Sequence, residues 1–154
     1  MIVRAWRIVK AEHAPTAFSG LGAKRYGGRW NNPGAGVVYT AGSMALAVLE
    51  ILVHTESRAL LRAYVTFEVS FDEELVHTIE ASSLPRNWRR SPPPAALAAI
   101  GDAWLSAGHS AILRVPSALV PGESNFLLSP THPDFAKITI GPRQPLRIDK
   151  RLVR

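Results

Sequence analysis

Val37-Val38-Tyr39-Thr40-Ala41-Gly42-Ser43-Met44-Ala45-Leu46-Ala47-Val48-Leu49-Glu50-Ile51-Leu52-Val53-His54 changes its period halfway along. Val37 to Thr40 is short, apolar and β-branched, which predicts a strand. Gly42 breaks it, and Ser43 can cap a helix running from Met44 to about His54. In that helix Met44, Ala47, Val48, Ile51 and Leu52 recur at three- and four-residue steps, the spacing of one buried face. Glu50 is the single charge among the nine residues from Ala45 to Val53. A charge on a largely apolar helix must be paired, used, or placed at an edge where it reaches water. The placement of Tyr39 and a glycine-rich loop just before it favours use, as a partner for a ribose hydroxyl or for positive charge developing on a sugar.

Other strands and helices alternate irregularly on either side of this unit. Val3 to Val9 reads as a strand, and Ala63, Val65, Phe67 and Val69 alternate with polar neighbours as in a half-buried strand. Residues 82–94 form a polar, proline-rich loop around Arg86-Asn87-Trp88-Arg89-Arg90. A helix opened by Pro93 runs to about Ala107 and stops at Gly108. Ala111 to Val115, Ser124 to Leu128, Ala136 to Ile140 and Leu146 to Ile148 read as further strands, with a turn at Pro130-Thr131-His132-Pro133. Asp72-Glu73-Glu74 reads as a solvated turn or helix start, and Trp88 and Trp104 as packing residues. This scatter predicts an α+β fold with a mixed or split sheet and flanking helices rather than a βαβ repeat.

The chain has 154 residues, 47% of them hydrophobic and 19% charged, a globular composition for one domain spanning 1–154. No apolar run is long enough for a membrane span. There are no cysteines, which excludes disulfides, thiolate metal sites and a cysteine nucleophile. The five histidines are scattered without metal-ligand spacing, so no metal is expected. Met1-Ile2-Val3-Arg4 lacks the features of a secretory signal, so a cytoplasmic protein is expected.

The net charge of +6 is unevenly placed. Residues 1–30 and 137–154 each carry six bases and one acid, while 31–136 carry six bases and ten acids. No helix-turn-helix, zinc pattern or basic stripe with interleaved aromatics accompanies the bases. The basic ends suit an anion site or a solvated surface better than a nucleic-acid footprint.

The segment Phe18-Ser19-Gly20-Leu21-Gly22-Ala23-Lys24-Arg25-Tyr26-Gly27-Gly28-Arg29-Trp30-Asn31 places four glycines within nine positions. Such density is costly unless positive φ or close backbone approach is required. Exposed N–H groups beside Arg25 and Arg29 would suit a pyrophosphate. The segment is neither a Walker loop nor a Rossmann fingerprint, and an Ω-loop with incidental bases is the plainer reading. Ser117 in Val115-Pro116-Ser117 lacks a Gly-x-Ser-x-Gly elbow and reads more readily as a cap than as a nucleophile.

An ordered series of short pieces runs through the chain. Trp6-Arg7 comes first, then Gly22-Ala23, Gly27-Gly28-Arg29-Trp30-Asn31, Val38-Tyr39-Thr40-Ala41 and Leu46-Ala47-Val48-Leu49-Glu50. It continues through Leu84-Pro85-Arg86-Asn87-Trp88, Gly101-Asp102-Ala103-Trp104-Leu105, Val115-Pro116-Ser117, Asn125-Phe126-Leu127-Leu128 and His132-Pro133-Asp134-Phe135. The series resembles the RES domain, the toxin half of bacterial Xre–RES toxin–antitoxin pairs. Ser129 before Pro130 departs from it, where Asn is expected.

The resemblance implies a split-sheet fold like the diphtheria-toxin type of ADP-ribosyltransferase, with NAD bound in a cleft as substrate. It implies cleavage of the nicotinamide–ribose bond by hydrolysis or phosphorolysis, or ADP-ribosylation of a protein target. Arg29 and Glu50 match the family arginine and glutamate, and Ser117 matches the serine, with Ser124 as a rival. Tyr39 is expected to stack on nicotinamide, Arg7 to hold the pyrophosphate and Asn125 to orient substrate. Arg25 is a candidate for an additional phosphate. The implied partner is an Xre-like, DNA-binding antitoxin that plugs the NAD cleft in a hetero-oligomeric complex, with no membrane and no nucleic acid bound by this chain itself. The residues alone leave two other classes open, a basic nucleic-acid-binding module and a metal-free hydrolase using Ser117.

Overall fold

The computed structural model describes residues 1–153. Its first strand, β1 (Ile2–Lys10), has two very different edges. One edge pairs antiparallel with β3 (Tyr64–Asp72) along its whole length, from Ile2 opposite Asp72 to Lys10 opposite Tyr64. The other meets β2 (Val38–Ala41) only where Trp6 lies opposite Ala41. The sheet is therefore nearly split between β1 and β2.

Beyond the seam, β2 pairs antiparallel with β6 (Ser124–Leu128) and β6 with β5 (Ile112–Pro116). A three-residue strand β4 (Val76–Thr78) adds parallel to β5. On the far side, β7 (Thr139–Ile140) and β8 (Gln144–Leu146) both pair with β3. The order β4-β5-β6-β2-β1-β3-β7, with β8 beside β3, is the mixed, split α+β sheet expected.

Strand periodicity fills both faces of this sheet. In β6, Phe126 and Leu128 join one core cluster with Ala5, Val38, Val69 and Phe71. Leu127 points to the opposite cluster, formed with Leu97, Trp104, Leu113, Val115, Trp30 and Trp88. Each fully buried leucine, valine or phenylalanine of these clusters contributes about 1.5–3 kcal/mol through removal of apolar surface from water. Helix α3 (Ala95–Ala107) supplies Leu97 and Trp104 and ends at Gly108, whose φ of 65° closes it in the left-handed region. Its Gly101 is needed for contact: a Cβ there would lie 1.6 Å from the Trp30 carbonyl oxygen.

Helix α2 (Met44–His54) follows β2 directly. The Ser43 hydroxyl accepts the Leu46 N–H at 3.1 Å and donates to Glu123 Oε1 at 2.5 Å, which fixes the helix entry. Leu46 and Ala47 pack on Ala41, with Trp6 and Ile8 of β1 against them. Of the predicted face Ala47 is buried and Met44, Val48, Ile51 and Leu52 are half-buried, Leu46 is buried beside it, and Leu49 and Val53, outside that face, are exposed.

Three expectations are corrected. The glycine-rich segment contains a short helix, α1 (Leu21–Tyr26). Residues 136–140 are not one strand: Pro133 and the His132 side chain, which accepts the Asp134 N–H, start a 3-10 turn over Pro133–Lys137, leaving only Thr139–Ile140 extended. The last strand is Gln144–Leu146, not Leu146–Ile148, because Pro145 can sit on this edge without donating and Ile148 turns inward. Among the described residues no helix is long and apolar enough to cross a membrane.

Candidate functional site

The seam opens into a cleft of about 860 Å³. It is walled by β1, β2, α2 and the loop after α1, and it gathers Arg7, Arg29, Tyr39, Glu50 and Asn125. That volume lies within the roughly 300–1,000 Å³ range of small-molecule sites.

Arg7 projects from β1 at the seam. Its Nε donates to the Ala17 carbonyl at 2.5 Å and its Nη1 to the Tyr39 carbonyl at 2.9 Å, so it ties the two sides together. Burial pulls the guanidinium down to about 10. No carboxylate lies within ion-pair distance of it among the described residues. A buried cation with carbonyl partners alone favours an incoming anion.

Tyr39 is held by its hydroxyl, which donates to Asn31 Oδ1 at 2.6 Å and accepts the Trp30 N–H at 3.1 Å. Burial pushes the phenol up to about 12, so it stays neutral through the physiological range. Asn31 is itself buried, and its Nδ2 donates to the carbonyls of Ala23, Asn32 and Ala35. The glycines preceding it serve this network. A Cβ at Gly28 would lie 2.6 Å from the Tyr39 hydroxyl, and Gly27 has φ of 73° at the end of α1.

Arg29 sends Nη1 to the carbonyls of Trp88 and Arg90, both at 3.0 Å. Burial lowers its guanidinium, while the charge on Glu50 acts in the opposite direction, as Tyr39 does more weakly. Arg29 and Glu50 are thus within electrostatic reach of each other. Glu50 keeps 31% of its side-chain surface exposed, and its Oε2 lies 3.7 Å from His54 Nε2, one turn on. Asn125 of β6 donates from Nδ2 to the Thr40 carbonyl at 3.2 Å.

The other candidate residues lie apart from this group. Ser117 is buried, and its hydroxyl accepts the N–H groups of Leu119 and Val120, the cap its position after Pro116 suggests. Through that turn it shapes the lip formed by Ala118 and Leu119. Ser124 accepts from Arg114 Nε at 3.0 Å and lines a second hollow of about 410 Å³. Arg25 is exposed on α1, with its guanidinium 6.0 Å from the Tyr26 ring centroid, and does not line the cleft. Sequence reasoning did not single out Arg89 or His54 as cleft residues, and it gave Asn31 no role. Arg89 lay in a loop read only as polar, and His54 had a signal in its four-residue spacing from Glu50.

Comparison with known proteins shows the family of the chain. The family profile described as "RES domain" matches residues 4–149. The chain is 39% identical over 150 residues to a protein named "Toxin Res" from Photorhabdus laumondii, covering 97% of this chain and 96% of that one. It is 38% identical to a "Toxin Res" of Yersinia enterocolitica, covering 92% of each chain. It is 35% identical to a "Prs ADP-ribosylating toxin" of Sphingobium sp., covering 100% of this chain and 99% of that one. A chain in the crystal structure of the M. tuberculosis MbcT–MbcA toxin–antitoxin complex superposes with a TM-score of 0.77 at 22% identity, covering 96% of this chain and 85% of its own, a likeness of fold. The chain belongs to the RES domain family.

Proposed function

We propose that this protein is the toxin of a toxin–antitoxin pair and that it consumes NAD by cleaving the nicotinamide–ribose bond. The observation that carries the reading is the seam cleft itself, where a buried unpaired arginine, a neutral anchored tyrosine and a half-buried glutamate face one space. Arg7 offsets diphosphate charge and fixes the dinucleotide, while Arg29 holds the 88–90 loop against the cleft. The Tyr39 ring stacks on nicotinamide. Asn125 braces the substrate from β6, and Ser117 acts indirectly, by shaping the lip.

The chemistry needs little else from the protein. The C1′–N1 bond breaks with its electron pair moving to the pyridinium nitrogen, so nicotinamide leaves neutral. Positive charge then develops on the ribose, where the Glu50 carboxylate stabilises it and holds a ribose hydroxyl. An acceptor oxygen adds at C1′ and loses its proton. Water and inorganic phosphate are the small acceptors. The name of the Sphingobium relative favours a second reading, in which a protein side chain accepts the ADP-ribose.

The cleft's rim supports an antitoxin partner that covers it. Val53 and Leu119, both lining the cleft, are exposed apolar side chains, with Leu49 exposed beside them on α2. An Xre-like antitoxin in a cytoplasmic complex, itself the DNA-binding member, fits that rim. The function is tested by incubating purified protein with NAD, with and without phosphate, and following nicotinamide release and the mass of the ADP-ribosyl product. Release by wild type and its loss in Glu50→Gln is the expected result; a folded wild type that releases none under either condition would refute the reading.

A further inference from the structure

We propose that Arg89 is a phosphate-binding residue of this cleft and that Arg29 is the positioning residue that aims it, an inference that rests on the dinucleotide reading. Arg29 Nη1 grips the carbonyls of Trp88 and Arg90, the two residues flanking Arg89. The backbone on both sides of Arg89 is therefore pinned by one guanidinium. The Arg89 guanidinium carbon lies 5.1 Å from the centroid of the Trp88 ring, and Trp88 is buried in the core with Leu97 and Trp104. Stacking on a fixed aromatic face limits the rotamers of an otherwise exposed side chain and lowers the entropy lost when it binds.

Charge supplies the ligand's identity. Arg7, Arg29 and Arg89 line the cleft, and Glu50 is the carboxylate that lines it. Arg89, like Arg7, has no carboxylate within ion-pair distance among the described residues. Glu50 lies within electrostatic reach of Arg29, without an ion pair, and partly offsets it. Arg7 and Arg89 then stand as two uncompensated cations, the complement of a diphosphate bridge with one charge on each phosphoryl group. In this arrangement Arg29 acts mainly through the loop and Glu50, and Arg89 takes the phosphoryl group that Arg7 does not.

The test uses the full chain as wild type, Arg89→Gln and Arg89→Lys, each checked for an unchanged melting temperature. ADP-ribose, which has the diphosphate without the scissile bond, is titrated calorimetrically. NAD turnover is followed in phosphate-free buffer and again with inorganic phosphate. Arg89→Gln is expected to weaken ADP-ribose about tenfold and raise KM for NAD to match, with kcat within about twofold, and Arg89→Lys to recover part of the loss. Adding Arg89→Gln to Arg29→Gln should weaken ADP-ribose little further, because Arg89 has already lost its aim. Equal ADP-ribose affinity for wild type and Arg89→Gln, with turnover of NAD intact, overturns the assignment of Arg89 alone. Loss of a phosphate-driven rate increase with unchanged KM for NAD overturns the diphosphate assignment and identifies free phosphate as the anion. A wild type that neither binds ADP-ribose nor cleaves NAD overturns the dinucleotide reading together with it.

Discussion

The two edges of β1 are built for different ends. Toward β3 the ladder is continuous from Ile2 to Lys10, and the side chains around it, Ala5, Val69 and Phe71, are almost wholly buried. Toward β2 one residue pair is made and the edge then parts, leaving room for Arg7, Tyr39 and Glu50. Backbone hydrogen bonds forgone at the seam are replaced in part by Arg7, which donates to carbonyls on either side of it. The difference teaches that a split sheet gains a polar site without a long loop, provided the other edge supplies the stability. Substitutions on the two edges should therefore separate stability from activity.

The largest effect is expected on the paired edge. Phe71, 2% exposed and edge-on to Phe126 at 5.4 Å, should cost about 3–5 kcal/mol as Phe71→Ala. Denaturant unfolding measures it, and the protein that remains folded should release nicotinamide at the wild-type rate. The mirror case is Glu50→Gln on the open edge. Nicotinamide release should fall about 10²–10³-fold, with unfolding unchanged within about 0.5 kcal/mol. If Glu50→Gln instead lowers stability as Phe71→Ala does, the two edges are not functionally distinct.

Gly28→Ala probes where the two properties meet. Its Cβ would lie 2.6 Å from the Tyr39 hydroxyl, which is bound to Asn31 and the Trp30 N–H. Overpacking of this kind costs about 1–3 kcal/mol. Both melting temperature and NAD affinity should fall, and adding Tyr39→Phe should relieve part of the clash.

A smaller effect is expected from pH. Burial lowers Arg7 from the usual arginine range to about 10, so the folded protein loses this proton before the unfolded chain does. The charge on Arg7 therefore opposes folding at neutral pH, and its contribution to stability rises as pH climbs above about 10 toward the usual arginine range. An anion bound to Arg7 needs the charged form. The thermal shift caused by ADP-ribose should accordingly be largest below pH 10 and shrink as pH passes it. Arg7→Met should abolish that shift at neutral pH while changing stability by no more than about 1 kcal/mol, because the desolvation cost disappears along with the two hydrogen bonds.

Local pattern made much of this legible in the sequence. The Met44–His54 helix and the Ser124–Leu128 strand have the bounds expected, because cap, period and breaker agree there. Val76–Thr78 did not stand out: three residues carry no period, and the strand exists only because β5 lies parallel beside it. Which edge of β1 stays open is likewise absent from the sequence of β1, since it is decided by strands far along the chain. Arg7, Tyr39 and Glu50 were visible as an ordered family series. Arg89 was not, because its aim depends on hydrogen bonds from Arg29 to backbone carbonyls, and a carbonyl leaves no trace in residue identity.

The glycine-rich segment gives the smallest and sharpest prediction. Its density suggests that every glycine there is required, yet the structure distinguishes them. Gly27 has positive φ, and Gly28 lies against Tyr39. Gly22 sits within α1 with nothing within 4 Å of an added Cβ and without positive φ. Gly22→Ala should therefore stabilise the protein by about 0.4–1 kcal/mol, chiefly by restricting the unfolded chain. NAD turnover should be unchanged, because α1 and the residue that ends it reach the cleft through Ala23 and Gly27 rather than through Gly22. A loss of turnover with the melting temperature raised would instead show that the N-terminal turn of α1 moves during the reaction. The open edge of the sheet would then extend beyond the seam into α1.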